Sequence, residues 1–207
     1  MSETRFWLIR HALVSEKERA RLYGVQDVSL CPDTLVTQMP QYRALAARLP
    51  RPAVWGCTPL SRTRRTAEAI FAAGYPVQAL HVVAGLIEQN LGDYQGLVHA
   101  ELPARLSTSA HPFWPLSASE RPAGGESMED VVARVGPAME ELAGAHAGRD
   151  VVVVSHGGAI RAAVAHALGI GAAQALHLSV HNISLTRLDH VPGQGWRVAS
   201  VNEWPGV

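Results

Sequence analysis

Arg10 and His11 stand together at the end of an apolar run, Phe6 to Ile9. An imidazole can attack phosphorus and carry the phosphoryl group covalently, provided that nearby cations offset the charge. The dipeptide alone is weak evidence, because a strand-end pair can simply be solvated. Three later stretches add polar residues where core building has no use for them. Thr58-Pro-Leu-Ser-Arg-Thr-Arg-Arg-Thr-Ala67 lies where an apolar run gives way to a helix, so amides, the positive helix end and Arg62 could converge on an anion. Gly85-Leu-Ile-Glu88 offers a carboxyl group for proton transfer. Ser155-His156-Gly157-Gly158-Ala-Ile-Arg161 follows a valine-rich run, and its glycines permit close backbone approach at a helix start. Each has a structural counterpart: a solvated arginine face over Arg62, Arg64 and Arg65, a surface carboxylate at Glu88, and a strand-end His156 donating to a carbonyl.

The elements that must position these residues follow from periodicity. Phe6–Ile9, Ala53–Cys57 and Val151–Val154 are short continuous apolar runs, the pattern of parallel strands buried on both faces. Val77 to Val83 is a third strand in chain order. Helical spacing is expected from Asp33 to about Leu49, with Pro40 kinking it or delaying its start, and over Arg62 to Ala73. It is also expected from Glu126-Ser127 to about Ala147 and over Ala159 to Leu168. Ser15 to Leu30 is a loop with room for one helical turn. Ile183–Leu188 and Trp196–Val201 flank Pro192-Gly193 as a hairpin. Alternating strands and helices imply an α/β fold, a three-layer sandwich with a mostly parallel central sheet flanked by helices. In such sheets ligands meet the carboxyl ends of the strands, where Arg10, His11 and His156 fall.

The 207 residues, 47% hydrophobic, suit one domain spanning the chain. Val98 to Gly125, rich in Pro, Ser and His around Phe113-Trp114, is expected as a lid-like excursion over the site. Lys+Arg and Asp+Glu balance at 18 each, so no global field favours nucleic acid or an anionic membrane as a partner. No stretch approaches the ~20 apolar residues of a membrane span. Two cysteines, Cys31 and Cys57, make no disulfide framework, and a cytoplasmic location is expected. His177 and His181 lie four apart without a third ligand on a helix, so no metal site is expected.

In order and spacing these stretches resemble the histidine phosphatase superfamily, which includes cofactor-dependent phosphoglycerate mutases and many small-molecule phosphatases. Arg21-Leu-Tyr-Gly24 with Asp27 resembles the loop after the nucleophile, Gly92-Asp-Tyr-Gln-Gly96 the Gly-x-Trp-Glu-Gly turn, and Gly124-Gly-Glu-Ser127 the Gly-Glu-Ser element. The resemblance implies a phosphoglycerate mutase-like fold. It also implies His11 as phosphoryl acceptor, Arg10 and Arg62 gripping the phosphate, Glu88 as proton donor and acceptor, and His156 completing the pocket as a cation. Gly157, Lys17, Arg21, Tyr23 and Gly24 are expected to contact phosphate or substrate. The family commonly reads Arg-His-Gly-Glu-Thr, whereas this chain has Arg10-His11-Ala12-Leu13-Val14, and Lys17 stands where an Asn is usual. The expected activity is hydrolysis of small-molecule phosphomonoesters through a phosphohistidine on His11, without metal or cofactor. A mutase and a non-catalytic phospho-ligand binding module are the alternatives. The partner is a small phosphomonoester, and a homodimer is left open.

Overall fold

The apolar runs do become strands, and their register decides where the polar residues meet. The computed structural model describes residues 2–206. In chain order the elements are β1 (Thr4–Arg10), α1 (Glu16–Arg19), α2 (Pro32–Thr37), α3 (Met39–Arg48), β2 (Val54–Cys57), α4 (Ser61–Ala72), β3 (Leu80–Val82), α5 (Met128–Ala145), β4 (Asp150–Ser155), α6 (Gly157–Leu168), α7 (Ala172–Ala175), β5 (Leu185–Val191) and β6 (Gly195–Glu203). They form one six-stranded sheet ordered β3-β2-β4-β1-β5-β6. The first four strands in that order are mutually parallel, while β5 runs antiparallel to β1 and β6 antiparallel to β5.

Alternation along the strands divides the core between two faces. Phe6, Leu8, Val151 and Val153 pack with Met128, Val131 and Val135 of α5 and Ile160 and Val164 of α6. Ile9, Val152 and Val154 point the other way, onto Tyr42 and Leu45 of α3 and Ala67 and Ile70 of α4. This is the expected three-layer arrangement, with both faces of the central strands covered.

Three details differ from the expected pattern. The long helix after Asp33 is two helices, because Pro40 occupies the first turn of α3, where its missing N–H costs nothing, and Gln38 breaks the run. β3 is three residues long, at an exposed sheet edge. In the hairpin, β6 runs on to Glu203.

Between His99–Ala104, a 3₁₀ helix, and the start of α5 the chain has no further helix or strand. It closes over a small separate core of Leu22, Leu91, Tyr94, Leu102 and Leu116. The buried carboxylate of Glu120 fastens this excursion, accepting from Tyr94 Oη (3.0 Å), Ser107 Oγ (2.7 Å) and Thr108 Oγ1 (3.0 Å). Among the described residues no helix is long and apolar enough to cross a membrane.

Candidate active site

Arg10 is in register with Ser155, so the residues that follow β1 and β4 leave the sheet side by side. His11 and His156 are those residues. Both are buried, with ring centroids 5.2 Å apart and planes at 62°. The His11 ring places Nδ1 2.7 Å from the carbonyl oxygen of Ala12. A carbonyl only accepts, so in the neutral ring Nδ1 holds the proton and Nε2 keeps its lone pair. Asn182 Nδ2 donates to the His11 carbonyl (2.8 Å), and the Ala12 amide donates to Thr66 Oγ1 (2.9 Å), fixing the backbone on both sides. Burial, then the Arg62 and Arg10 charges, push the His11 pKa well below the ordinary histidine value.

Arg62 is fully buried in the first turn of α4. Its Nη1 and Nη2 donate to the carbonyls of Gln26 (2.6 Å) and Gly24 (2.7 Å), and its guanidinium lies 5.2 Å over the Tyr23 ring. Gly24 has φ +44, and a Cβ there would come within 2.7 Å of Gln95 Oε1 and 2.8 Å of the Gln89 carbonyl oxygen. Tyr23 and Gly24 therefore fasten Arg62 as well as lining the site. Arg10 spends Nη1 on the Val180 carbonyl at 2.5 Å. Arg10 Nε, Arg62 Nε and His156 Nδ1 are all buried and without a partner among the described residues. Buried N–H groups are nearly always paired, so three unspent nitrogens in one cluster call for a ligand.

His156 pairs its Nε2 with Thr58 Oγ1 at 2.8 Å. Burial, followed by His11, Arg62 and Arg10, drives its pKa well below the ordinary value. This corrects the expectation of a cationic His156: in a buried cluster already holding guanidinium charges, the ring is neutral. Where the Thr58 hydroxyl donates to Nε2, the ring proton belongs to Nδ1, which has no partner among the described residues.

Glu88 is half-buried at the start of α6, where the Gly158 amide donates to Oε1 (3.1 Å) and Oε2 (3.2 Å) and the Gln89 amide to Oε1 (3.0 Å). A Cβ on residue 158 would fall 2.3 Å from Oε1, which explains the second glycine. Gly157 lies where a Cβ would be 3.1 Å from Arg161 Nη1 and 3.4 Å from Arg10 Cζ. Glu126 of the Gly-Glu-Ser element holds Arg134 (2.7 Å), which donates to the carbonyls of Gly85 (3.0 Å) and Glu88 (3.0 Å) and so sets the Glu88 turn.

Arg161, Thr58 and Asn182 were not assigned roles by sequence reasoning. Arg161 and Thr58 fall inside the quoted stretches, so their positions beside the histidines were available; Asn182 comes from a loop far along the chain, with no local signal. Arg161 is 7% exposed, donates to the carbonyls of Leu178 (2.8 Å) and Gly157 (3.1 Å), and has its pKa lowered to about 10 by burial and by Arg10. Arg10, Arg62 and Arg161 thus bring three guanidiniums to the site that also holds the Glu88 carboxyl group.

A cavity of ≈ 470 Å³ opens over this cluster, with Arg10, Gly24, Glu88 and Asn182 in its wall beside apolar Leu22, Leu91 and Trp114. Arg21 lines it too, with Nη1 donating to the Gly96 carbonyl at 2.6 Å. Lys17 does not, and is exposed on α1. Two residues apart on a helix are about 200° apart in direction, so Arg19 rather than Lys17 reaches the wall.

Comparison with known proteins gives the family. A glucosyl-3-phosphoglycerate phosphatase from Mycolicibacterium vanbaalenii is 33% identical over 178 residues, covering 82% of this chain and 76% of that one. A 2,3-bisphosphoglycerate-dependent phosphoglycerate mutase from Cytophaga hutchinsonii is 39% identical over 83 residues, only 39% of each chain. The native structure of mycobacterial glucosyl-3-phosphoglycerate phosphatase superposes with a TM-score of 0.79 at 29% identity, covering 97% of this chain and 99% of that one. The family model for the histidine phosphatase superfamily (branch 1) matches residues 6–203, and with its two histidines side by side at the strand ends this chain belongs to that superfamily.

Proposed function

We propose that the protein is a phosphatase that hydrolyses small-molecule phosphomonoesters through a phosphohistidine on His11. The observation that carries this reading is the convergence of three unspent buried nitrogens, Arg10 Nε, Arg62 Nε and His156 Nδ1, around an imidazole whose Nε2 is free. Three guanidiniums gathered about one carboxyl group leave an excess of positive charge, which complements a phosphate dianion.

In the first step the Nε2 lone pair forms a bond to phosphorus as the ester P–O bond breaks. A proton held at Glu88 passes to the leaving oxygen, and Nδ1–H stays on the Ala12 carbonyl. Arg10, Arg62 and His156 hold the equatorial oxygens throughout. In the second step the Glu88 carboxylate takes a proton from water, whose oxygen bonds phosphorus as the N–P bond breaks. Phosphate leaves, and both His11 and Glu88 return to their starting states.

Hydrolysis is preferred to mutase transfer because relatives that cover 82% and 77% of this chain are named phosphatases, whereas the mutase match spans 39% of it. A cytoplasmic setting rests on two unpaired cysteines, Cys31 and Cys57. The test is release of inorganic phosphate from p-nitrophenyl phosphate and a metabolite panel, with chelator present, for wild type and His11→Ala. Chelator-resistant release that disappears in the variant, with an acid-labile phosphoenzyme trapped only in wild type, is expected. Activity retained by His11→Ala would sink the mechanism. Phosphate return to 3-phosphoglycerate primed by its bisphosphate would establish the mutase, and no phosphoenzyme from any ester would favour a binding module.

A further inference from the structure

Two non-glycine residues among those described hold a positive φ, Ile183 (+54) and Asn202 (+58), and a hydrogen bond links the turn of the first to the side chain of the second. Ile183 occupies the third position of the turn His181–Ser184, which the Ser184 amide closes on the His181 carbonyl (3.2 Å). A left-handed backbone there suits glycine or asparagine, and a β-branched residue adopts it only where its surroundings impose it. The Ile183 side chain is fully buried in the core layer of Ile9 and Val154, and its amide donates to the Arg10 carbonyl (2.9 Å). Asn202 lies in a bulge of β6: Leu185 pairs with Glu203 but Arg187 with Ser200, so β6 carries one residue more over that interval. From the bulge its amide donates to Thr186 Oγ1 (3.2 Å), and its Oδ1 accepts from the His181 amide (2.7 Å). The turn that begins at His181 supports the nucleophile. Asn182 Nδ2 donates to the His11 carbonyl (2.8 Å), and the Val180 carbonyl, just before the turn, accepts from Arg10 Nη1 (2.5 Å).

We infer that Asn202 is a positioning residue for the nucleophile: from the last strand it holds the turn His181–Ser184 in the strained form that presents Asn182 to the backbone of His11. This rests on the phosphatase reading above. A nucleophile has to be held close to its line of attack, and a displacement of about 1 Å costs on the order of a hundredfold in rate. The His11 ring is tied through Nδ1 to the carbonyl of the next residue, Ala12, so a shift of the main chain that Asn182 holds carries the ring with it. Asparagine suits position 202 on two counts, because it tolerates a left-handed backbone and its side-chain carbonyl can accept from a nearby amide. Without that acceptor the turn relaxes towards the backbone that Ile183 prefers, and Asn182 moves with it.

The test measures two quantities for wild type, Asn202→Gly and Asn202→Asp: the single-turnover rate of phosphoenzyme formation from p-nitrophenyl phosphate, by rapid quench, and the affinity for tungstate. Glycine suits φ +58 and keeps the bulge while removing the acceptor. Asn202→Gly should lower the phosphorylation rate roughly tenfold. Its tungstate affinity should be nearly unchanged, because Arg62 and His156 are fastened outside the turn. Asn202→Asp, which keeps Oδ1, should recover most of the rate. In combination with Asn182→Ala, the loss in the double variant should fall short of the product of the single losses, since both act through one contact to His11. A wild-type rate in Asn202→Gly overturns the inference. So do losses that multiply, an Asn202→Asp rate no better than that of the glycine variant, or a rate and a tungstate affinity that fall by the same factor. If the glycine variant does not fold, Asn202→Ala removes the same acceptor and takes its place. A wild type that forms no phosphoenzyme overturns the phosphatase reading instead, and the nitrogen chemical shifts of the His11 ring then decide: a change in Asn202→Gly that Asn202→Asp reverses supports the inference, and identical shifts overturn it.

Discussion

The guanidinium of Arg161 lies 4.7 Å over the ring of Trp114. One residue belongs to α6, in the turn after the two glycines, and the other to the excursion that forms part of the cavity wall. Trp114 also points its indole Nε1–H at Gln89 Oε1 (3.4 Å), next to the catalytic candidate Glu88. The excursion is thus docked on a buried cation of the candidate site itself. A stacked, largely desolvated cation–π pair contributes about 1–2 kcal/mol. Trp114→Ala should therefore lower kcat/KM by about five- to thirtyfold, whereas Trp114→Phe keeps an aromatic face and loses much less. Equal losses in the two variants would show that indole volume or its N–H, rather than stacking on Arg161, matters here.

Burial and the neighbouring arginines lower the pKa of both His11 and His156, and that has a sign. For a histidine whose folded pKa lies below its unfolded value, stability is fully present above about 6.5 and is lost as pH falls from there towards the folded pKa. Neither His11 nor His156 should titrate near 6.5 in the unliganded protein, and imidazole NMR shifts followed from pH 8 to 5 check this directly. Tungstate, a phosphate-like dianion, should raise both values by supplying the missing negative charge, detected as proton uptake when calorimetry is repeated in buffers of different ionisation enthalpy. A ring titrating at 6.5 without ligand would contradict the buried, cation-flanked site.

Much of this was legible in the sequence because the signals were local. Val151–Val154 could only be a doubly buried strand, and a residue directly after such a strand has to emerge at the carboxyl edge; that placed His156, and the same logic placed His11. What periodicity cannot carry is direction within a loop. Lys17 and Arg19 lie on one short turn, and which of them faces the cavity depends on how α1 is rotated against the strand ends. For His156 a positive charge was inferred from function, whereas burial, then His11, Arg62 and Arg10, lower its pKa. Asn182 and the fastening of the excursion by Glu120 depend on contacts between positions distant in sequence, and no single-chain pattern marks them.

Glu88 is placed to move protons, and the size of its effect should depend on the leaving group. Glu88→Gln should cost roughly 10²–10⁴ in kcat with alkyl phosphates, whose oxygen must be protonated to depart, and distinctly less with p-nitrophenyl phosphate. Gly158→Ala should behave in the same direction, since its Cβ would stand 2.3 Å from Glu88 Oε1 and displace the carboxylate. If both esters lose equally in Glu88→Gln, the carboxylate acts through charge or position instead of as an acid.

The carboxylate that anchors the excursion gives a separate test, through stability. Burial alone would raise the pKa of Glu120, but hydrogen bonds from Ser107, Tyr94 and Thr108 outweigh it and hold the group down to about 2. A carboxylate with a depressed folded pKa contributes stability that is present above its ordinary value of 4.5 and is lost as pH falls from there to about 2. Glu120→Gln keeps the size of the side chain but turns an NH₂ group towards hydroxyls and amides that donate, leaving some of them without an acceptor. The expected loss in urea unfolding at neutral pH is about 1–3 kcal/mol. Because the wild-type advantage belongs to the ionised form, the gap between the two proteins should narrow as pH is lowered from 4.5 towards 2. A gap that stays constant over that range would assign the effect to side-chain shape, and the charge of Glu120 would then have no part in holding the excursion over the cavity.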